Sequence, residues 1–183
     1  MIFSETKLKA CYLISPELHN DSRGWFARTF CKEEFLKIGH KKEWVQLNHS
    51  ATFKKGSVRG MHYQLPPFSE IKMVRCIAGS IFDVVIDLRK DSPTFLQWFG
   101  EELSAENKKM IYIPEGFAHG FQTLSDSCEL IYHHTAFYKP DSEGGIRFND
   151  KKININWPLN VSEISERDRQ HPLLDNTFRG ISI

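Results

Sequence analysis

From Ile71 to Tyr138 the chain is a succession of short apolar segments closed by turn-forming clusters, recurring about every ten residues. That spacing, with few helical stretches between, confines the fold to a β-sandwich or barrel. "IKMVRCIAGSIFDVVIDLR" is two apolar runs broken at Ala78-Gly79-Ser80, which predicts a hairpin. "DSPTFLQWFGEELS" is a turn and a strand, and "KKMIYIPEGFAHGFQTLSD" is a strand, a Pro-Glu-Gly turn and another strand. "CELIYHHTAFYKP" is one more. Aromatic residues make up 13%, including 14 Phe, which suits a core filled by large side chains from strands.

The first seventy residues fit the same scheme. "KACYLISPELHNDSRGWFARTF" predicts an extended start, a turn at His19-Asn20-Asp21 and a second short strand. "CKEEFLKIG" predicts a short helix with Phe35 and Leu36 on one side and Gly39 as its stop. "EWVQLNHSATF" alternates like a strand, and "KKGSVRGMHYQ" is a turn leading into another. The tail "SERDRQHPLLDNTF" is charged and predicts a solvated loop or helix. With no repeat, linker or low-complexity stretch, residues 1–183 are expected to form one domain, a length sufficient for a sizeable core.

Charge narrows the partners. The net charge is +1 and the lysine pairs are scattered, so neither nucleic acid nor a membrane surface is the expected partner. No apolar stretch approaches the length of a membrane span, and the N-terminus carries no signal-peptide pattern. Cys11, Cys31, Cys76 and Cys128 are widely spaced and predict free thiols in a reducing, cytoplasmic setting.

Strand alternation picks out the chemistry. In "EIKMVRC", Lys72 shares a face with the core-like Val74 and Cys76, so its ammonium is expected to point inward. A lysine there needs an anion or a cavity. In "GMHYQ", His62 and Gln64 share the face opposite Met61 and Tyr63, and in "ELIYHHTAFY" Leu130, Tyr132 and His134 share one face. An inward face carrying His, Lys, Tyr and Gln predicts a ligand cavity rather than a dry core. "RGMHYQLPPFSEIKMVRC" then reads as two strands of one barrel, joined by a proline-rich turn that aims His62 and Lys72 into the same cavity.

"PEGFAHGFQ" and "GMHYQLPPFSE" resemble the two motifs of the cupins, the double-sheet jelly rolls. Metal-binding cupins carry a second histidine where this chain has Gln64. What remains, His62, His119 and an irregularly spaced Glu70, is a poor ligand set, so no metal is expected.

The resemblance extends further. "DSRGWF", "QLNHS", "VRGMHYQLPP", "IFDVVIDLRKDSPTF", "ELSAENKKMIYIPEGFAHGF", "INWP" and "SERD" occur in the order found in the dTDP-4-dehydrorhamnose 3,5-epimerase family, a metal-free branch of the cupins. The resemblance implies a mainly β cupin jelly-roll barrel with a few short helices. It also implies an isomerase needing no cofactor, which inverts C3 and C5 of a nucleotide-diphospho-4-keto-6-deoxyhexose. Hydrogens beside the carbonyl are acidic, so the site needs a base, a donor for the enolate oxygen, and an acid across the ring. By resemblance His62 is the base, Asp168 orients it, Lys72 holds the enolate oxygen and Tyr132 is the acid. An orienting carboxylate fixes the imidazole tautomer.

The same resemblance assigns substrate binding to Arg23, Phe26, Arg28, Gln46, Asn48, Arg59, His119, Tyr138 and Glu143, and implies a homodimer whose N-terminal elements reach the partner. Two positions depart from the family pattern. Arg28 stands where a Glu is common near the nucleotide, and Ile71 replaces the usual glycine before Lys72. Single-carbon epimerisation, a metal-dependent cupin enzyme and a non-catalytic sugar-binding cupin are the alternative readings.

Overall fold

A computed structural model describes residues 1–183. The N-terminal region contributes β1 (Ile2–Glu5) and β2 (Tyr12–Ser15), which pair antiparallel, and a small hairpin of β3 (His19–Asp21) and β4 (Gly24–Phe26). Helix α1 (Lys32–Phe35) passes into a 3-10 turn (Leu36–Ile38) and stops at Gly39, whose φ of +80° is left-handed. Phe35 of this helix is buried, but Leu36 is 51% exposed, because successive helical residues point about 100° apart.

The body consists of β5 (Gln46–Thr52), β6 (Ser57–Gln64), β7 (Lys72–Ala78), β8 (Ser80–Asp87), β9 (Trp98–Ser104), β10 (Met110–Ile113), β11 (Phe117–Thr123) and β12 (Cys128–His134). After it come β13 (Glu143–Gly145), β14 (Glu163–Ile164) and helix α2 (Glu166–Gln170). One sheet runs β1-β2-β10-β7-β12-β5; the other runs β13-β6-β11-β8-β9, with β14 parallel to β6. The sheets face each other as a double-sheet jelly roll and do not close into one hydrogen-bonded barrel. From β5 to β8, successive strands alternate between them.

That alternation corrects one expectation. Ala78-Gly79-Ser80 is not a hairpin: β7 pairs with β10 and β12, while β8 pairs with β11 and β9. Gly79, at φ +71°, carries the chain around a corner where a Cβ would lie 2.6 Å from Ser125 Oγ and 2.9 Å from Cys128 Sγ. The proline-rich segment after β6 also joins opposing sheets, so β6 and β7 are walls facing one another, with His62 and Lys72 on one cavity as expected.

Between the sheets lies the largest buried cluster, including Val74, Cys76, Val85, Phe121 and Leu130. The second sheet's outer face buries Met61, Val84, Ile86 and Ala118 under Ile146, Ile153 and Ile181 of the C-terminal region. Both faces of β8 are thus covered, which accounts for its nearly unbroken apolar run. On the first sheet's outer face, Met73, Met110 and Tyr112 pack against Phe35. No helix is long and apolar enough to cross a membrane, and the four cysteines are unpaired.

Candidate active site

Polar side chains from the two sheets meet at one end of the sandwich. Asn48 and Ser50 of β5, Lys72 of β7 and Tyr132 of β12 face Arg59 and His62 of β6 and His119 of β11 around a cavity of ≈ 250 Å³. A second cavity of ≈ 690 Å³ adjoins it, sharing Arg59, His62 and Arg167 with the first.

A bulge sets the aim of His62. His62 pairs with His119, but Phe121 pairs with Arg59, so β6 carries an extra residue around Gly60-Met61. Here the strands touch: a Cβ on Gly60 (φ +121°) would lie 2.6 Å from Gly120 Cα and 2.8 Å from the His119 carbonyl oxygen. The bulge's backbone groups find partners outside the sheet. Met61 exchanges hydrogen bonds with Ile146, and the Gly60 N–H donates to Asp168 Oδ2 at 3.0 Å.

Asp168 is 2% exposed at the first turn of α2, whose N-cap Ser165 accepts the Asp168 N–H at 3.1 Å. Its Oδ1 lies 2.8 Å from His62 Nε2. Burial pushes this carboxyl up, but the His62 hydrogen bond and charge and the Gly60 N–H outweigh it and hold the group well below the usual carboxylate range. An ionised carboxylate only accepts, so His62 Nε2 carries a hydrogen, and in the neutral imidazole it is Nδ1 that holds the lone pair.

Tyr132 stands across the cavity, its hydroxyl 3.1 Å from Ser50 Oγ. Burial pushes this phenol up to about 12, so it is a proton donor at neutral pH. Its ring stacks on His134, with centroids 6.1 Å apart. Lys72, Val74 and Cys76 point inward as alternation requires, and Lys72 Nζ lies 3.1 Å from Glu70 Oε1. His119 Nε2 is 2.8 Å from Asp83 Oδ2, a carboxylate buried in the apolar run of β8.

Several expected binding residues form the rim. Gln46 Nε2 donates to Asn48 Oδ1 at 3.2 Å, and Gln46 Oε1 accepts the Tyr138 N–H at 3.1 Å. The Tyr138 hydroxyl donates to Glu143 at 3.0 Å, and Glu143 pairs with Arg167 at 3.2 Å. Arg59 is steadied by the Ala51 carbonyl at 2.9 Å. Arg23, Phe26 and Arg28 are not brought to the cavity of their own chain. Arg23 pairs with Asp21 at 2.6 Å, Phe26 is 70% exposed on the β3–β4 hairpin, and Arg28 pairs with Glu34 at 2.8 Å.

Sequence reading missed Ser50, Arg167 and His171 altogether and gave no role to Asp83 or His134. Arg167 Nη2 stands 3.2 Å from His62 Nε2, and the His171 ring lies 5.4 Å from that of His62. An acid inside an apolar strand was the available signal for Asp83; "ERDRQH" offered none for Arg167 or His171. The cation ligands considered from sequence are otherwise engaged: Glu70 holds Lys72 and His134, and His119 holds Asp83. His62, Asp168 and His171 do offer donor atoms within 4.8 Å of one another, the set best placed to hold a cation, but the Arg167 guanidinium lies 3.4 Å from Asp168 and brings positive charge to the same spot.

The model of the dTDP-4-dehydrorhamnose 3,5-epimerase family matches residues 5–176. The chain belongs to this family. A dTDP-4-dehydrorhamnose 3,5-epimerase from Salmonella typhimurium is 46% identical over 180 residues, 97% of this chain and 98% of that protein. The crystal structure of the family member from Elizabethkingia anophelis superposes with a TM-score of 0.93 at 38% identity, covering 97% of this chain and 98% of the other. The epimerase from Legionella pneumophila, solved in complex with dTDP-4-keto-L-rhamnose, gives a TM-score of 0.88 at 38% identity, covering 94% and 92%. The epimerase family is thus the setting for a cavity that combines an oriented imidazole, an ammonium and a protonated phenol.

Proposed function

We propose that this chain is a cytoplasmic, cofactor-independent epimerase that inverts C3 and C5 of dTDP-4-dehydro-6-deoxyglucose, giving dTDP-4-dehydrorhamnose. The observation that carries the reading is the His62–Asp168 pair at 2.8 Å, on a cavity that also holds Lys72 and Tyr132. His62 Nδ1 removes the proton from the carbon beside the carbonyl. Lys72 meets the negative charge that develops on the carbonyl oxygen, a contribution worth about 3–4 kcal/mol for one well-placed donor. Tyr132 returns a proton from the opposite face, and positioned acids and bases typically contribute about 10²–10⁴-fold each. The 4-keto group acidifies C3 and C5 alike, so the same three groups serve both inversions.

Asn48, Gln46, Arg59, His119, Tyr138 and Glu143 are proposed to hold the sugar, diphosphate and nucleotide. An arginine fork suits a diphosphate. Arg23, Phe26 and Arg28 are proposed to serve the partner's site in a homodimer. The exposure of the β3–β4 hairpin, with Trp25 at 49% and Phe26 at 70%, and the open edge of β5 support that arrangement. Sedimentation tests the assembly: a monomer at micromolar concentration removes it.

Incubation with dTDP-4-keto-6-deoxyglucose in D₂O tests the chemistry. Deuterium at both C3 and C5 is the expected result. Label at C3 alone makes the chain a single-carbon epimerase, and no label on dTDP-, CDP- or GDP-linked keto sugars overturns the assignment.

A further inference from the structure

Glu70 precedes β7 and has no part in the roles above. Its side chain is 8% exposed, and both oxygens are engaged. Oε1 lies 3.1 Å from Lys72 Nζ, and Oε2 lies 2.7 Å from His134 Nδ1. The backbone beside it is pinned to the end of β12: the Ile71 N–H donates to Thr135 Oγ1 at 2.8 Å, and the Thr135 N–H donates to the Ile71 carbonyl at 3.1 Å. Burial pushes the Glu70 carboxyl up, but the His134 hydrogen bond and the Lys72 charge outweigh it and leave the group below the usual carboxylate range.

His134 passes this restraint to the cavity wall. With its Nδ1–H donated to Glu70, Nε2 holds a lone pair 3.3 Å from Asn48 Nδ2. Asn48 Oδ1 in turn accepts from Gln46, and the His134 ring stacks on Tyr132. Lys72 alone is a point charge on a flexible stem. Its ammonium is held in an ion pair with Glu70, 3.1 Å from Oε1.

We propose that Glu70 and His134 are positioning residues: the carboxylate, anchored by His134, clamps the Lys72 ammonium in the orientation that meets the substrate carbonyl and ties it to Asn48 and Tyr132 on the same wall. This rests on the reading of Lys72 as the donor to the enolate oxygen. The clamp acts on the reacting geometry rather than on affinity, so its loss falls on turnover.

The test is steady-state deuterium incorporation from D₂O into dTDP-4-keto-6-deoxyglucose, with thermal unfolding measured alongside. Glu70→Gln keeps the shape and removes the charge. It is expected to lower kcat about 10- to 100-fold with KM little changed, the scale of loss when a reacting group is misplaced. In a Lys72→Met background, Glu70→Gln is expected to leave the residual exchange rate unchanged, because nothing remains to be clamped. Undiminished turnover in Lys72→Met removes the underlying reading of Lys72. Lost turnover in Lys72→Met with normal kcat in Glu70→Gln overturns the clamp alone. An equal proportional loss in both backgrounds assigns Glu70 a structural role and also overturns it. Should Glu70→Gln not fold, His134→Leu removes the anchor from the neighbouring strand and is read by the same pair of backgrounds.

Discussion

Asp168 gives one carboxylate oxygen to His62 Nε2 at 2.8 Å, while its other oxygen accepts the Gly60 N–H at 3.0 Å. One buried carboxylate thereby orients the imidazole and fastens the bulge that carries it. Asparagine cannot accept from both groups with the same geometry, since one of its two heads is a donor. Asp168→Asn is expected to lower kcat by about 10²–10⁴, the range for positioned acid–base groups. The unpaired group left behind is expected to destabilise the fold by about 1–3 kcal/mol. Turnover of the same order as the parent enzyme would remove Asp168 from the mechanism.

The same carboxylate makes acid stability depend on pH in one direction. Its folded-state value lies below the unfolded value of about 3.9, so its contribution is fully present above that pH and fades as pH falls through the folded value. Denaturant unfolding of the parent and of Asp168→Asn should therefore differ most near neutrality and converge below about pH 4. A gap that stays constant down to strong acid would show that the pair contributes nothing through its charge.

Tyr132 is the proposed acid, and its loss separates two events that the parent enzyme joins. In Tyr132→Phe, His62 still removes and returns a proton on its own face, so deuterium should enter the unreacted sugar while epimerised product falls about 10²-fold or more. Product formed at the parent rate would transfer the acid role elsewhere. Burial raises this phenol to about 12, so turnover of the parent should not collapse near pH 10, where an unshifted tyrosine loses its proton.

Much of this arrangement is readable from alternation alone. Val74 and Cys76 identify the inward face of β7, and Lys72 follows; Tyr132 follows from Leu130 in the same way. Asp168 is not readable from pattern, because "SERDRQH" has the composition of a solvated segment and a single side chain of it turns inward. The misplaced hairpin at Ala78-Gly79-Ser80 has a similar origin. A left-handed glycine serves a tight turn and a sheet-to-sheet corner equally well, and only strand pairing tells them apart. Glu70 reads as a doubtful metal ligand because its partners, Lys72 and His134, lie on strands that sequence does not place side by side.

At Gly60 the site brings backbone against backbone. Alanine there would add a Cβ 2.6 Å from Gly120 Cα, against backbone rather than a yielding side chain, at a φ of +121°. Gly60→Ala is expected to cost about 2 kcal/mol or more, from overpacking and backbone strain together. For a chain of this size that lowers Tm by roughly 4–8 °C. Activity should fall further than stability alone explains, because His62 is two residues away on the bulge. A variant with parental Tm and kcat would show that the strands can separate there freely.

Because β6 and β7 are successive in the chain yet lie in opposing sheets, residues 57–78 contain the proposed base, the proposed cation and the spacer that sets the gap between them. A recombination event that exchanged this stretch between two relatives would transplant both jaws with their hinge as one heritable cassette. Asp168 and Tyr132, supplied from distant parts of the chain, would then have to be matched to it afterwards.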